Sequence, residues 1–178
     1  MKNYTSLLLI LICAFSLFIY GNGTVRAPKE PIIIQGLQLD TPKAKIQKKL
    51  DFSKAENFDS TGNTYKFLSP AENIDSMYLT FYKDQLQSIW INYSKETTQL
   101  SLSDFRKNTE ENYGLPANWK IDQERTGESA TQTYDGVIVT ISGNDGKYSV
   151  HFTSTAVVSR QAADIPAEED TKKKASKP

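Results

Sequence analysis

The sequence contains very few of the side chains that bind metals or act as activated nucleophiles. Its 178 residues include one cysteine, Cys13, and one histidine, His151. Zinc and other soft-metal sites use several Cys or His ligands, and a Ser-His-Asp triad needs a histidine held between a serine and a carboxylate. No Gly-x-Ser-x-Gly elbow and no phosphate-binding glycine loop is present. We therefore predict no catalytic, cofactor-binding or metal-binding residues.

The chain also lacks an excess of charge of either sign. It has 21 basic and 21 acidic side chains, which gives a formal net charge of zero. Nucleic acids and anionic membranes attract basic surfaces. The composition therefore predicts no nucleic-acid partner, and membrane contact only through the N-terminal segment.

The N-terminal segment has the pattern of an export signal. Lys2 precedes an apolar run from Leu7 to Tyr20, and Gly21-Asn22-Gly23 follows. A membrane-spanning helix needs about 20 apolar residues, whereas the core of a signal peptide needs about 7–15. We predict a signal peptide over residues 1–23 and export to the periplasm or beyond, with an uncleaved membrane anchor as the alternative. Cys13 lies in this run, so the mature chain would contain no thiol, which fits a bacterial envelope.

The rest of the chain divides into three segments. Residues 24–31 contain Pro28 and Pro31 and predict a linker. Residues 32–159 predict an α+β domain. Residues 160–178 are rich in Ala, Glu and Lys and have no large apolar residue after Ile165, so they predict a disordered tail.

The first half of the domain predicts a helix and an antiparallel meander. Thr41 as N-cap and Pro42 as the first helical residue predict a helix that buries Ile46 and Leu50. Alternating or β-branched residues predict the strands. These strands cover Thr64–Leu68, Met77–Tyr82 and Leu86–Tyr93, and Ile32–Ile34 is predicted as a first strand or an extended segment.

The second half repeats this order. Ser103 as N-cap and Gly114 as the C-terminal left-handed residue predict a helix over residues 104–113. Strands are predicted over Trp119–Gln123, Thr131–Tyr134, Val137–Ile141 and Tyr148–Phe152.

Corresponding positions in the two halves are separated by a nearly constant distance. Leu39 and Leu102 are 63 residues apart, as are Leu50 and Tyr113, and the turn residues Asp84 and Asp145 are 61 apart. This spacing predicts two helix-plus-antiparallel-meander units, 32–95 and 96–159, as a tandem repeat that forms one sheet with helices on one face. A single irregular α+β domain is the alternative.

The start of the first unit resembles a known group of domains. The segment Gln35–Ile46, followed by Leu50 and a meander, is similar to small bacterial envelope domains of the SmpA/OmlA small-lipoprotein and β-lactamase-inhibitor-protein-like group. Those domains begin with a Gly-x-x-Leu-Gly segment before a short helix and an antiparallel sheet. This chain departs from the pattern at Asp40 and Asp51, where the group has glycine, and it lacks the lipid-bearing cysteine of many members. The resemblance implies an α+β fold and protein binding, and it carries over no catalytic residue.

The aromatic residues of the first hairpin are the candidate binding residues. A sheet with helices on one face needs only one apolar face, so the surplus of Tyr and Trp predicts an exposed patch for a protein, glycan or peptidoglycan partner. Cross-strand pairing that only stabilises the sheet is the alternative. The predicted patch consists of Tyr78, Tyr82, Trp90 and Tyr93.

His151 alternates with Val150 and Phe152 in the last predicted strand. We therefore predict that it shares the outer face of that strand with Ser149 and Thr153. This position favours a polar surface residue over a catalytic one.

These patterns predict an exported, non-catalytic bacterial envelope protein that binds another envelope protein or a secreted enzyme. Two other functions stay open. One is an envelope hydrolase that uses the carboxylate pairs Asp122/Glu124 or Glu110/Glu111. The other is a small-ligand carrier with a pocket between the helices and the sheet.

Overall fold

The computed structural model describes residues 31–94, 100–124, 127–144 and 147–164. The predicted signal peptide and most of the predicted linker lie outside these residues. Within them, no helix has the length and apolar character that a membrane span requires.

One antiparallel sheet of eight strands organises the domain. The strands lie side by side in the order β1-β2-β3-β4-β8-β7-β6-β5. The first four strands therefore form one half of the sheet, and the two halves meet at the β4–β8 pair. The predicted α+β class is confirmed. The strands are β1 (Glu56–Asn57), β2 (Thr64–Leu68), β3 (Ile74–Tyr82), β4 (Gln85–Tyr93), β5 (Lys120–Glu124), β6 (Gly127–Tyr134), β7 (Val137–Asn144) and β8 (Lys147–Ser154).

The first helix, α1 (Lys43–Ile46), is a single turn and is followed by a 3-10 turn, Phe52–Lys54. Pro42 occupies the N-cap position and makes no side-chain cap. The predicted cap at Thr41 is therefore wrong. The backbone oxygen of Thr41 instead accepts a hydrogen bond from Leu86 N at 3.0 Å, which ties the start of the helix to β4.

The second helix, α2 (Leu102–Tyr113), begins two residues earlier than predicted. Ser101 is its N-cap: Ser101 Oγ accepts from Asp104 N at 3.1 Å and donates to Asp104 Oδ2 at 2.6 Å. Ser101 therefore satisfies the backbone N–H of Asp104 in the first turn, and Ser103 lies within the helix. Gly114 ends the helix in the left-handed conformation with φ 63°, as predicted.

Two chain ends differ from the prediction. Ile32–Ile34 is not a strand, because Ile34 forms only an isolated bridge with Leu37 around a turn with positive φ at Gln35 and Gly36. A third helix, α3, occupies residues 155–164. It extends into the segment that the sequence predicts as a tail from Arg160, and the remainder of that segment lies outside the described residues.

The apolar core lies against one face of the sheet. Leu79, Ile89 and Phe152 are completely buried there. They belong to the same buried cluster as Ile46 of α1 and Phe105 of α2. Burying side chains of this size stabilises the fold by roughly 1.5–3 kcal/mol each. We call this side of the sheet the core face and the opposite side the open face.

Candidate functional site

The strand register aligns the open-face residues in rows that cross the sheet. Directly paired residues of neighbouring antiparallel strands lie on the same face. Following these pairs from strand to strand gives rows of six, eight and seven residues, 21 in all, of which only Ser76 and Ser88 are buried. The threonine row is Thr64, Thr80, Ser88, Thr153, Ile138 and Thr133; the central row is Glu56, Lys66, Tyr78, Trp90, His151, Thr140, Thr131 and Lys120; the serine row is Leu68, Ser76, Asn92, Ser149, Ser142, Ser129 and Asp122.

Tyr78, Trp90 and His151 of the central row form a continuous strip of rings with Phe58, which follows β1. The centroids of Phe58 and Tyr78 are 4.8 Å apart, those of Tyr78 and Trp90 are 5.5 Å apart, and those of Trp90 and His151 are 6.0 Å apart. We call these four residues the aromatic strip. Phe58 is 58% exposed and Trp90 is 43% exposed. The strip therefore offers large aromatic surface to solvent or to a partner.

The loop after β1 holds Phe58 against the strip. Asp59 Oδ1 accepts hydrogen bonds from the backbone N–H groups of Thr61 (3.1 Å) and Asn63 (3.0 Å). Hydrogen bonding, foremost from Thr64, lowers the pKa of Asp59 to about 2. Phe58 N also donates to Thr64 O at 2.9 Å. The carboxylate thus stays ionised, and accepts these hydrogen bonds, at pH values well above about 2.

His151 lies at the middle of the central row. It pairs with Trp90 on one side and with Thr140 on the other, and its Nε2 is 3.3 Å from Thr153 Oγ1. Partial burial lowers the pKa of His151, which favours the neutral ring at neutral pH. The predicted placement of His151 on the outer face with Ser149 and Thr153 is confirmed.

Tyr82 does not join the aromatic strip and instead anchors α3. Its hydroxyl donates to Asp164 Oδ2 at 2.6 Å, and Lys83 Nζ donates to the same oxygen at 2.7 Å. The bond from Lys83, followed by the one from Tyr82, lowers the pKa of the Asp164 carboxyl. Tyr82 therefore ties the C-terminal helix to the end of β3.

Tyr93 lies on the core face, which corrects its predicted place beside Tyr78 and Trp90. It follows the buried Ile91 by two positions in β4, and side chains two apart share a face. Its ring centroid is 5.1 Å from that of Phe105, and its hydroxyl is 3.4 Å from that of Tyr113. Burial, reinforced by Tyr113, raises the pKa of Tyr93 far above its ordinary value. Of the four predicted patch residues, only Tyr78 and Trp90 are in contact.

A groove of about 470 Å³ runs along part of the serine row. Ser76, Asn92, Ser142 and Ser149 line it, and Asn92 Nδ2 donates to Ser76 Oγ at 3.0 Å. The charged residues that line the groove are Asp75 and Lys147. The groove can therefore offer hydroxyl and amide groups to a narrow polar segment.

The two candidate carboxylate pairs lie on different elements, Glu110/Glu111 on α2 and Asp122/Glu124 on β5. Glu110 Oε1 accepts a hydrogen bond from Trp119 Nε1 at 2.6 Å and lies 3.9 Å from Arg106 Nε. Asp122 ends the serine row on the edge strand β5. Within the described ranges, no group of three or more His, Cys, Asp or Glu side chains has the spacing of a metal site.

The sequence prediction missed Phe58 as a member of the strip. Phe58 follows a strand of only two residues, so strand periodicity gave no signal there. The available signal was the turn pattern Asp59-Ser60-Thr61-Gly62, which indicates a tight loop beside an aromatic residue.

No protein-family model, curated protein or solved structure matches this chain. The geometry of the open face is therefore the basis for assigning a function.

Proposed function

We propose that this chain is an exported, non-catalytic protein of the bacterial cell envelope that binds another protein through its open face. The observation that carries the proposal is the aromatic strip, Phe58-Tyr78-Trp90-His151, whose last three rings lie between the Ser, Thr and Asn side chains of the threonine and serine rows. Export follows from the leader pattern, with Lys2 and the apolar run to Tyr20 as its basis.

The composition of the open face supports protein binding. Tyr and Trp give rigid contact area with little loss of side-chain entropy, and Ser and Asn give adaptable hydrogen bonds, as in antibody paratopes. The 21 residues of the three rows also match the roughly 20–30 residues that each side of a standard interface contributes. Trp and Tyr are the residues most enriched at binding hot spots. The strip would thus be the centre of the interface, and the hydroxyl rows its surroundings.

We further propose that the two halves of the domain are a tandem repeat of the inhibitor-like type. His151 follows Trp90 by 61 positions (90 to 151), and the two residues pair directly across β4 and β8. The strand order β1-β2-β3-β4-β8-β7-β6-β5 also places the four strands of each half in reversed order on the two sides of the β4–β8 pair, as a two-fold relation between the halves requires.

An experimental structure tests the repeat proposal through this offset. Superposing β4 on β8 should also bring α1 near α2 and β3 onto β7. A superposition that aligned only the strands and left the helices on different sides would reject it.

Photo-crosslinking tests the proposed function. Benzoylphenylalanine replaces Trp90 on the open face in one variant and Asn108, an exposed residue of α2, in the matched control. The proposal expects a discrete protein adduct in envelope preparations from position 90 and none from position 108. Adducts from position 108 alone, or from neither position, would remove the open face as the binding surface.

A further inference from the structure

The middle of the open face has no charged side chain across five adjacent strands. The three rows place three residues on each of β3, β4, β8, β7 and β6, 15 in all, and ten of these are Ser or Thr. None is Asp, Glu, Lys or Arg. We call this set the uncharged field: Ser76, Tyr78, Thr80, Ser88, Trp90, Asn92, Ser149, His151, Thr153, Ile138, Thr140, Ser142, Ser129, Thr131 and Thr133.

Charged residues surround the field. On one side, Lys66 of β2 lies 3.4 Å from Glu56 of β1. On the other side, Lys120 and Asp122 end the central and serine rows on β5. The chain as a whole is 24% charged, whereas the field contains no charged residue.

Solubility gives no reason to remove charge from an exposed sheet face. Lys and Glu are common on such faces, because an exposed charge stays hydrated at little cost. An interface has the opposite requirement: a charge that becomes buried without a partner is strongly unfavourable, and the cores of interfaces are depleted of charged residues. The uncharged field therefore has the composition of a surface that becomes dehydrated on binding.

The hydrogen bonds within the field show which donors and acceptors remain free to bind a partner. Thr131 and Thr140 hydroxyls are 3.2 Å apart, and Asn92 bonds to Ser76. Each hydroxyl that makes one such bond keeps further donor or acceptor capacity, because a hydroxyl can donate once and accept twice. A partner that covers the field must satisfy this capacity, because unpaired buried polar groups are destabilising.

Resting on the proposed function, we infer that the partner presents an uncharged, hydrogen-bonding protein surface whose apolar centre packs on Trp90 and His151. Complementarity requires this chemistry, since the field has no charge to pair with a charged partner. Association would then depend little on ionic strength, in contrast to electrostatically steered complexes.

A substitution that replaces one side-chain amide by a carboxylate tests this inference. Asn92→Asp places one negative charge in the field at almost constant shape. Asn108→Asp makes the same change on the exposed side of α2 and is the matched control. The probe is the protein that cross-links to position 90, purified alone and titrated with the full chain at about 50 and about 500 mM NaCl.

The inference expects Asn92→Asp to weaken affinity by roughly 30-fold or more, because the new charge loses its hydration when the partner covers the field. Asn108→Asp and the change in salt should each alter affinity by less than about 3-fold. Tolerance of Asn92→Asp, or a steep loss of affinity at high salt, would overturn the uncharged-partner inference while leaving the proposed function intact. An unchanged affinity of the Trp90→Ala variant would instead defeat the proposed function, and the inference with it.

Discussion

Trp90 and His151 are direct partners across the β4–β8 pair, and their ring centroids are 6.0 Å apart. The pair lies where the two halves of the sheet meet. It also forms one end of the aromatic strip. The proposed function therefore gives a ring at this position a role in binding as well as in stability.

His151 should make stability depend on pH. Burial lowers the pKa of His151 in the folded chain, whereas an unfolded histidine titrates near about 6.5. Between these two pKa values the unfolded chain binds more protons, so the free energy of unfolding should fall as pH drops below about 6.5.

Denaturation of wild type and His151→Asn from about pH 7.5 to about pH 5 measures this effect. Other titrating groups cancel in the difference between the two proteins. The stability advantage of wild type over His151→Asn should shrink toward the acidic end. Parallel curves would show that burial of the imidazole does not perturb its protonation.

Ser101, and not Ser103, should cap α2. Ser101→Ala removes the hydrogen bond to Asp104 N and should lower the free energy of unfolding by about 1 kcal/mol. Ser103→Ala is the matched control in the same turn and should change stability by less than about 0.5 kcal/mol. Urea denaturation of both variants decides between the two caps, and a larger loss for Ser103→Ala would contradict the structure.

Much of this fold could be predicted from alternation and turn residues, but the ends of the elements could not. β2 has the bounds that its alternating Tyr65 and Phe67 predict. The cap of α2 was placed two residues late because Ser101 and Ser103 are equally good capping residues. Only the reciprocal bond with Asp104 distinguishes them, and it depends on the path by which the chain enters the helix.

The candidate site could be predicted only in part, because it depends on the pairing register between strands. Sequence alternation places Tyr78 on a face, but it does not say which residue stands opposite it. The alignment of Tyr78 with Trp90, and of Trp90 with His151, is set by pairings between strands that are as much as 61 residues apart. Tyr93 was misplaced because an aromatic residue near the end of a strand fits a core and a surface equally well.

Gln132 should be replaceable by an apolar residue with a gain in stability. It is 4% exposed and pairs with Val139 on the core face, and within the described ranges its side-chain oxygen and nitrogen have no hydrogen-bond partner. Gln132→Met keeps the size and removes the unpaired amide, so the free energy of unfolding should rise by about 1–3 kcal/mol. Gln132→Glu should lower it. Thermal and urea denaturation of the two variants measures both changes in the free energy of unfolding. A destabilised Gln132→Met would show that the amide has hydrogen-bond partners in solution.

Gly143 should tolerate no side chain. A Cβ at this position would lie 2.7 Å from Cε1 of Tyr148, its partner across the hairpin. Tyr148 cannot easily move, because its ring stacks on Phe105 at 4.7 Å and its hydroxyl donates to Leu100 O at 2.7 Å. Gly143→Ala should therefore destabilise the chain by about 1–3 kcal/mol.

The neighbouring exposed residue Ser142 provides the control for this prediction. Ser142→Ala should leave stability within about 0.5 kcal/mol of wild type in the same urea experiment. If Gly143→Ala were as stable as Ser142→Ala, the packing of Tyr148 over β7 would be wrong.

The central claim is that the aromatic strip is the binding surface of this protein. Calorimetric titration of the partner that cross-links to position 90 tests it with the Tyr78→Ala/Trp90→Ala variant. Ile33→Ala/Ile121→Ala, which removes two side chains that are 51% and 48% exposed away from the strip, is the control. The strip variant should lose about 30-fold or more in affinity, and the control should keep nearly wild-type affinity. Equal affinities for the two variants would contradict it.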